Sequence, residues 1–206
     1  MVCNDALKYD VLEELSIFEP HVYESMFIKL HTGSKKDVII GNVYRPNTAP
    51  KANLEQALEH HKYILNKINS DKDLKNCDVT ILGDLNIDLL QFSNHNLTNQ
   101  YLESLLSLGF LPVVTKPTRI HKQSATLIDH IFTNKKANVY ETGIIESPLS
   151  DHYPVFYIEQ TKVQRSVPEI IKTRKINNET TKSFCDLLES APWNNVINEK
   201  KNIHCI

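Results

Sequence analysis

From Glu24 the chain alternates: Met26, Ile28 and Leu30 interleave with Ser25, Phe27 and Lys29, the two-residue period of a strand with one face more buried than the other. After a polar stretch containing Gly33-Ser34, Val38-Ile39-Ile40-Gly41-Asn42-Val43-Tyr44 returns as a second strand, so the pair predicts a hairpin. Arg45-Pro46-Asn47 ends it, because proline lacks an N–H donor and restricts the residue before it. The period then changes. Leu54, Ala57, Leu58, His61, Leu65 and Ile68 recur at three- and four-residue spacings, predicting a helix from Asn53 whose wet face carries Glu55, Glu59 and Lys62. Val79-Thr80-Ile81-Leu82 follows as a buried strand, which gives the order strand, helix, strand.

A second helix is predicted from Asn96, a capping residue type, with Leu97, Tyr101, Leu105 and Leu108 as its stripe and Gly109 as its terminator. Phe110 to Val114 reads as a short extended piece and Lys116 to Ser124 as a polar loop. Strands are expected over Ala125 to Asn134, Val139 to Ile145 and Val155 to Glu159. Over residues 1–23 no single period fits, and strands are expected. A short helix with Phe184, Leu187 and Leu188 on one face runs up to Pro192-Trp193. The pattern as a whole is α/β.

With 206 residues, 41% of them hydrophobic, the chain can bury one substantial core and carry a tail. No apolar run approaches the length of a membrane span and the first residues lack the order of a signal peptide, so a soluble, intracellular protein without a membrane partner is expected. Cys3, Cys77, Cys185 and Cys205 form no CxxC pair and read as free thiols. The formal net charge of -2 argues against gripping nucleic acid by bulk electrostatics. One local exception runs from Thr161 to Lys175, where Lys162, Arg165, Lys172, Arg174 and Lys175 face only Glu169; a solvated linker is its ordinary reading.

Polar residues recur in or just beyond the apolar strands: Tyr44 with Asn47, Asp84 with Asn86, Asp129, and Ser150-Asp151-His152. Extended geometry through Asn86 would put Asp84 and Asn86 on one side, a carboxylate beside an amide that donates and accepts. Asp129 inside a strand needs a partner, and a histidine such as His152 is a natural one. Each has an ordinary reading as well. Tyr44 suits a rim aromatic, Asn47 and the Asp84 to Asn86 stretch suit turns, Ser150-Asp151 suits a cap, and His130 reads as structural or exposed. His60, His61 and His121 have no ligand at metal spacing and are set aside.

Taken together, Asn42-Val43-Tyr44-Arg45-Pro46-Asn47, Gly83-Asp84-Leu85-Asn86, Leu127-Ile128-Asp129-His130-Ile131-Phe132 and Ser150-Asp151-His152-Tyr153-Pro154 resemble the endonuclease/exonuclease/phosphatase family. The resemblance is closest to the apurinic-like endonuclease domain of non-LTR (LINE-type) retrotransposons, and it covers about Glu24 to Glu159. It implies a four-layer sandwich of two packed β-sheets flanked by helices, and a Mg2+-dependent nuclease, with Mn2+ as the alternative ion, acting on DNA in the nucleus. It further implies that Asp84 activates or orients the attacking water and that Asn86 positions nucleophile and phosphate. Tyr44 and Asn47 would contact the scissile phosphate, Asp129 would hold His152, His152 would stabilise phosphoryl oxygens, and Asp151 would help bind the cation.

The family's metal site also uses an asparagine on the first strand and a glutamate a few strands later, and this sequence offers no convincing counterpart to either. The resemblance therefore implies a domain over residues 1–160 that is incomplete at its N-terminus, followed by a connector over 161–206 of the kind that leads toward a reverse transcriptase. A catalytically inert fragment, or a phosphatase or RNA-directed member of the same fold, stand as the alternative readings.

Overall fold

The computed structural model describes residues 7–32, 36–47, 51–136, 140–159 and 177–192. The basic stretch from Thr161 to Lys175, Trp193, Cys3 and Cys205 lie outside them. Residues 1–168 form one compact unit and 169–206 a second.

Within the first unit the chain runs β1 (Tyr9–Val11), β2 (Phe18–Glu19), β3 (Tyr23–Leu30), β4 (Val38–Tyr44), α1 (Lys51–Ser70), β5 (Asp78–Asp84), α2 (Asn96–Leu106) and β6 (Leu111–Pro112). It continues through β7 (Arg119–His121), β8 (Ser124–Thr126), β9 (Asp129–Thr133), β10 (Tyr140–Ile144) and β11 (Val155–Glu159). The main sheet has the order β1-β3-β4-β5-β9-β6, with β2 also paired to β3. The predicted hairpin is there, antiparallel from Glu24 opposite Tyr44 to Leu30 opposite Val38. β4 and β5 run parallel, joined through α1, and β9 returns antiparallel to β5.

One face of this sheet is covered by helices. Phe27, Ile39, Val43, Val79, Ile81 and Phe132 meet Leu58, Ile64, Leu65 and Ile68 of α1 and Tyr101 and Leu105 of α2 in a single buried cluster. Each such side chain removed from water contributes roughly 1.5–3 kcal/mol, which is what fixes the strand register. Phe27 belongs to this core, so β3 is apolar on both faces, and Met26 on the other face is exposed. The remaining face carries Ile28, Leu30 and Val38. Over it lies the two-stranded β10-β11 sheet, whose Val155 and Tyr157 line one cavity with Leu30, Val38 and Ile40. Glu159 of β11 pairs with Lys135, which also reaches Asp78 at 3.4 Å.

Gly83 makes the crowded end of β5 possible: its φ is +147°, and a Cβ there would sit 1.8 Å from the Val43 carbonyl oxygen. Two expectations are corrected. Lys116 to Ser124 is not simply a loop, because Arg119–His121 and Ser124–Thr126 pair as a β-hairpin, which also shortens the next strand to Asp129–Thr133. The N-cap of α2 is His95 rather than Asn96, its ring accepting from the Thr98 N–H. His130 is buried, its Nε2 shared between the Ile87 and Leu127 carbonyls.

In the second unit α3 (Asn178–Ser190) is capped by Asn177, whose side chain accepts from Thr180 N while Thr180 Oγ1 accepts from Asn177 N. Phe184, Leu187 and Leu188 are exposed on it. No helix among the described residues is long and apolar enough to cross a membrane.

Candidate active site

Antiparallel pairing of β5 with β9 sets Asp84 directly opposite Asp129. Directly opposed residues share a face, so two half-buried carboxylates meet at the end of the sheet. Like charges at such spacing repel. Burial first, and the Asp129 charge second, hold the Asp84 carboxyl above the usual carboxylate range, while hydrogen bonds from Asn86 pull the other way. A carboxylate with raised proton affinity is a better base.

His152 joins them from the segment between β10 and β11. Its Nδ1 lies 3.2 Å from Asp129 Oδ1 and 3.1 Å from Oδ2, so Asp129 fixes the ring and leaves Nε2 as its other face. Ligand atoms of Asp84, Asp129 and His152 all fall within 4.8 Å of one another. The ring's approach is set by backbone: Arg119 forms a β-bridge with His152, Ile120 N donates to Asp151 O at 2.8 Å, and Tyr153 N donates to Thr118 O at 2.7 Å.

The other expected site residues stand elsewhere. The extended geometry stops at Asp84, and Asn86 turns into the left-handed region at φ 50°, with Nδ2 donating to Arg45 O at 2.8 Å and its own N–H donating to Asp84 Oδ1 at 3.1 Å. Alternation along β4 places Tyr44 on the same sheet face as Asp84, at 42% exposure, and Asn47 is an exposed turn residue. No hydrogen bond among the described residues ties Tyr44 or Asn47 to the trio. Asp151 points to a different partner: Arg119 Nε donates to its Oδ2 at 2.7 Å, which holds its carboxyl below the usual range.

Two residues that periodicity did not mark support the site. Thr118, fully buried, donates from Oγ1 to Asp129 Oδ2 at 2.6 Å and accepts from Asp129 N, and Arg119 clamps Asp151. Their only trace in the sequence is a Thr-Arg pair after Pro117 in a segment otherwise read as a polar loop.

The donor set can be tested against a hard divalent cation. Two carboxylates provide the oxygen ligands that Mg2+ and Mn2+ favour, and a cation between them would relieve the repulsion already visible in Asp84. His152 is the less suited donor and is already tied to Asp129. The residues present therefore fit an ion held mainly through Asp84 and Asp129.

A family model described as endonuclease-reverse transcriptase matches residues 38–156, more than half of the chain and all of the segment from Tyr44 to His152. The chain belongs to that family. No curated protein matches it. Among solved structures it is similar to the endonuclease domain of TRAS1, a telomere-specific non-LTR retrotransposon, at 17% identity over 77% of this chain and 68% of that one, with a TM-score of 0.55. It also matches beta toxin from Staphylococcus aureus (16% identity, 66% of this chain, 57% of that chain, TM-score 0.48). A third match is an endonuclease/exonuclease/phosphatase protein from Beutenbergia cavernae (13% identity, 65% of this chain, 38% of that chain, TM-score 0.47). The TRAS1 likeness shows that this member of the endonuclease-reverse transcriptase family has the endonuclease/exonuclease/phosphatase fold.

Proposed function

We propose that this chain is a divalent-cation-dependent endonuclease that nicks DNA by phosphodiester hydrolysis, as part of a retrotransposon-type element. The convergence of Asp84, Asp129 and His152 within 4.8 Å carries the reading. Asp84 takes a proton from the attacking water as the new bond to phosphorus forms and the bond to the 3′ oxygen breaks; the departing 3′ oxygen takes a proton from solvent, leaving a 3′ hydroxyl and a 5′ phosphate. Asp129 holds the His152 ring, which donates to the phosphoryl oxygens as negative charge builds on them. Asn86 positions water and phosphate from the neighbouring turn, with Tyr44 and Asn47 against the phosphate at the rim. A bound Mg2+ or Mn2+ would add positive charge at the same oxygens. Asp151 keeps the His152 segment in place through Arg119. Residues 161–206, with their basic stretch, act as a connector.

The test is nicking of supercoiled plasmid by the purified chain with Mg2+, against EDTA and the variants Asp84→Ala and His152→Ala. Nicking that disappears in all three controls supports the reading. Cleavage that persists in either variant, or no cleavage with Mg2+ or Mn2+, overturns it.

A further inference from the structure

Arg45 is buried, 6% exposed, directly behind the Asp84 to Asn86 turn. Its guanidinium donates from Nε to the Leu85 carbonyl at 2.7 Å, from one terminal nitrogen to the Asn86 carbonyl at 2.7 Å and from the other to Pro46 O at 3.2 Å. Its backbone completes the link: Arg45 N donates to Asp84 O at 2.9 Å, and Arg45 O accepts from the Asn86 carboxamide at 2.8 Å.

Consecutive carbonyls in extended backbone point to opposite sides, so Leu85 O and Asn86 O can meet one guanidinium only where the chain has left the strand. Asn86 does so, at φ 50°, a region that costs most side chains energy and that asparagine tolerates better than most. Arg45 supplies the reason the turn stays there. A planar fork with fixed donor directions bridges both carbonyls at once, which a lysine ammonium on a flexible stem cannot reproduce. No carboxylate among the described residues forms an ion pair with Arg45, so this buried cation spends its donors on backbone, and the backbone it grips is that of the candidate site.

We propose that Arg45 is a positioning residue, which fixes Asn86 in its left-handed conformation and thereby sets both the N–H that Asp84 accepts and the placement of the Asn86 carboxamide. The catalytic consequence rests on the function proposed above. The positional one does not.

Two measurements separate them. In nitrogen NMR of the full chain, the Arg45 Nε–H should exchange with solvent far more slowly than those of surface arginines, and the Asn86 carboxamide should give two distinct, protected proton signals. In Arg45→Lys the Asn86 pair should collapse to the values of an exposed amide, while the amides of Val79 and Phe132 stay in place. In nicking kinetics, Arg45→Lys should lower kcat by about 10- to 100-fold, the scale of a misplaced catalytic group, with KM within about twofold. Adding Asn86→Ala to Arg45→Lys should cost much less than Asn86→Ala costs alone, because both remove one arrangement. A fast-exchanging Arg45 Nε–H in the wild-type chain overturns the proposal without needing any variant to fold. So does a folded Arg45→Lys with an unmoved Asn86 carboxamide, or one with full kcat. A wild-type chain that nicks nothing removes the proposed function, and the NMR measurements still decide the role of Arg45.

Discussion

Thr118 Oγ1 donates a 2.6 Å hydrogen bond to Asp129 Oδ2, and the same carboxylate oxygen lies 3.1 Å from His152 Nδ1. A buried hydroxyl thus stands behind the carboxylate that holds the imidazole. Thr118 Oγ1 also accepts from Ile128 N at 3.3 Å and Asp129 N at 3.1 Å, so it satisfies the backbone at the start of β9 while aiming its own proton at the carboxylate. One side chain couples the edge of the strand to the orientation of the ring.

Replacing that hydroxyl with a methyl group of similar shape leaves two backbone donors without a partner. Thr118→Val should therefore lose about 1–3 kcal/mol of stability in urea unfolding. Nicking should fall by about 10- to 100-fold, the usual loss when a group that orients a ligand or base is removed. Thr118→Ser keeps the oxygen and should stay within about threefold of wild type, since only the methyl packing changes. Equal losses in the valine and serine variants would mean that the site depends on the methyl group and not on the hydrogen bond.

The same residues show where sequence reading succeeds. β4 and the start of β5 are legible because Val38 to Tyr44 and Val79 to Leu82 are mostly apolar and rich in β-branched residues, and α1 is legible through its three-four spacing. Asp129 and His152 stand out because a carboxylate in an apolar strand demands a partner. The β7-β8 hairpin was not legible: Arg119 to Thr126 is polar and mostly exposed, held by backbone pairing and by Asp151 rather than by apolar burial. The turn at Asn86 was legible in part: Asp84 and Asn86 are turn residues, and the Asn86 N–H donates to Asp84 Oδ1 within the turn, whereas Arg45, which grips it from behind, lies 41 residues away in sequence.

Opposed Asp84 and Asp129 make a prediction about cations. A divalent ion held by that pair binds the folded chain and not the unfolded one, so Mg2+ or Mn2+ at about ten times its dissociation constant should add about 1.4 kcal/mol and raise the thermal midpoint. Asp84→Asn should abolish that response while raising stability slightly in the absence of the ion, because it removes a like-charge pair. Asp151→Asn decides between two roles. With its carboxylate engaged by Arg119 at 2.7 Å, the variant should keep the cation response. A response lost in Asp151→Asn, and retained in Asp84→Asn, would assign the ion to Asp151.

His61 sets a second dependence on conditions, away from the site. It is fully buried on α1 between Tyr23 and Tyr101, shares a hydrogen bond with the Tyr23 hydroxyl at 3.1 Å, and its Nε2 has no hydrogen-bond partner among the described residues. Burial, with the neighbouring His130 adding to it, pushes its pKa down to about 3. The folded chain therefore holds this ring neutral between pH 6.5 and about 3, where the unfolded chain takes up a proton. More protons on the unfolded side mean that stability rises with pH through that window, by about 1.4 kcal/mol per unit for one such proton, and levels off above pH 6.5. Urea unfolding between pH 7.5 and 5 should show this loss on acidification, and His61→Phe should reduce the slope by one proton. The Tyr23 hydroxyl loses its partner in that variant, so its stability at pH 7.5 should fall by about 1–3 kcal/mol even as the slope flattens. An unchanged slope in His61→Phe would mean that His61 reaches solvent or a proton acceptor in the folded protein, and that its burial between the tyrosines does not keep it neutral.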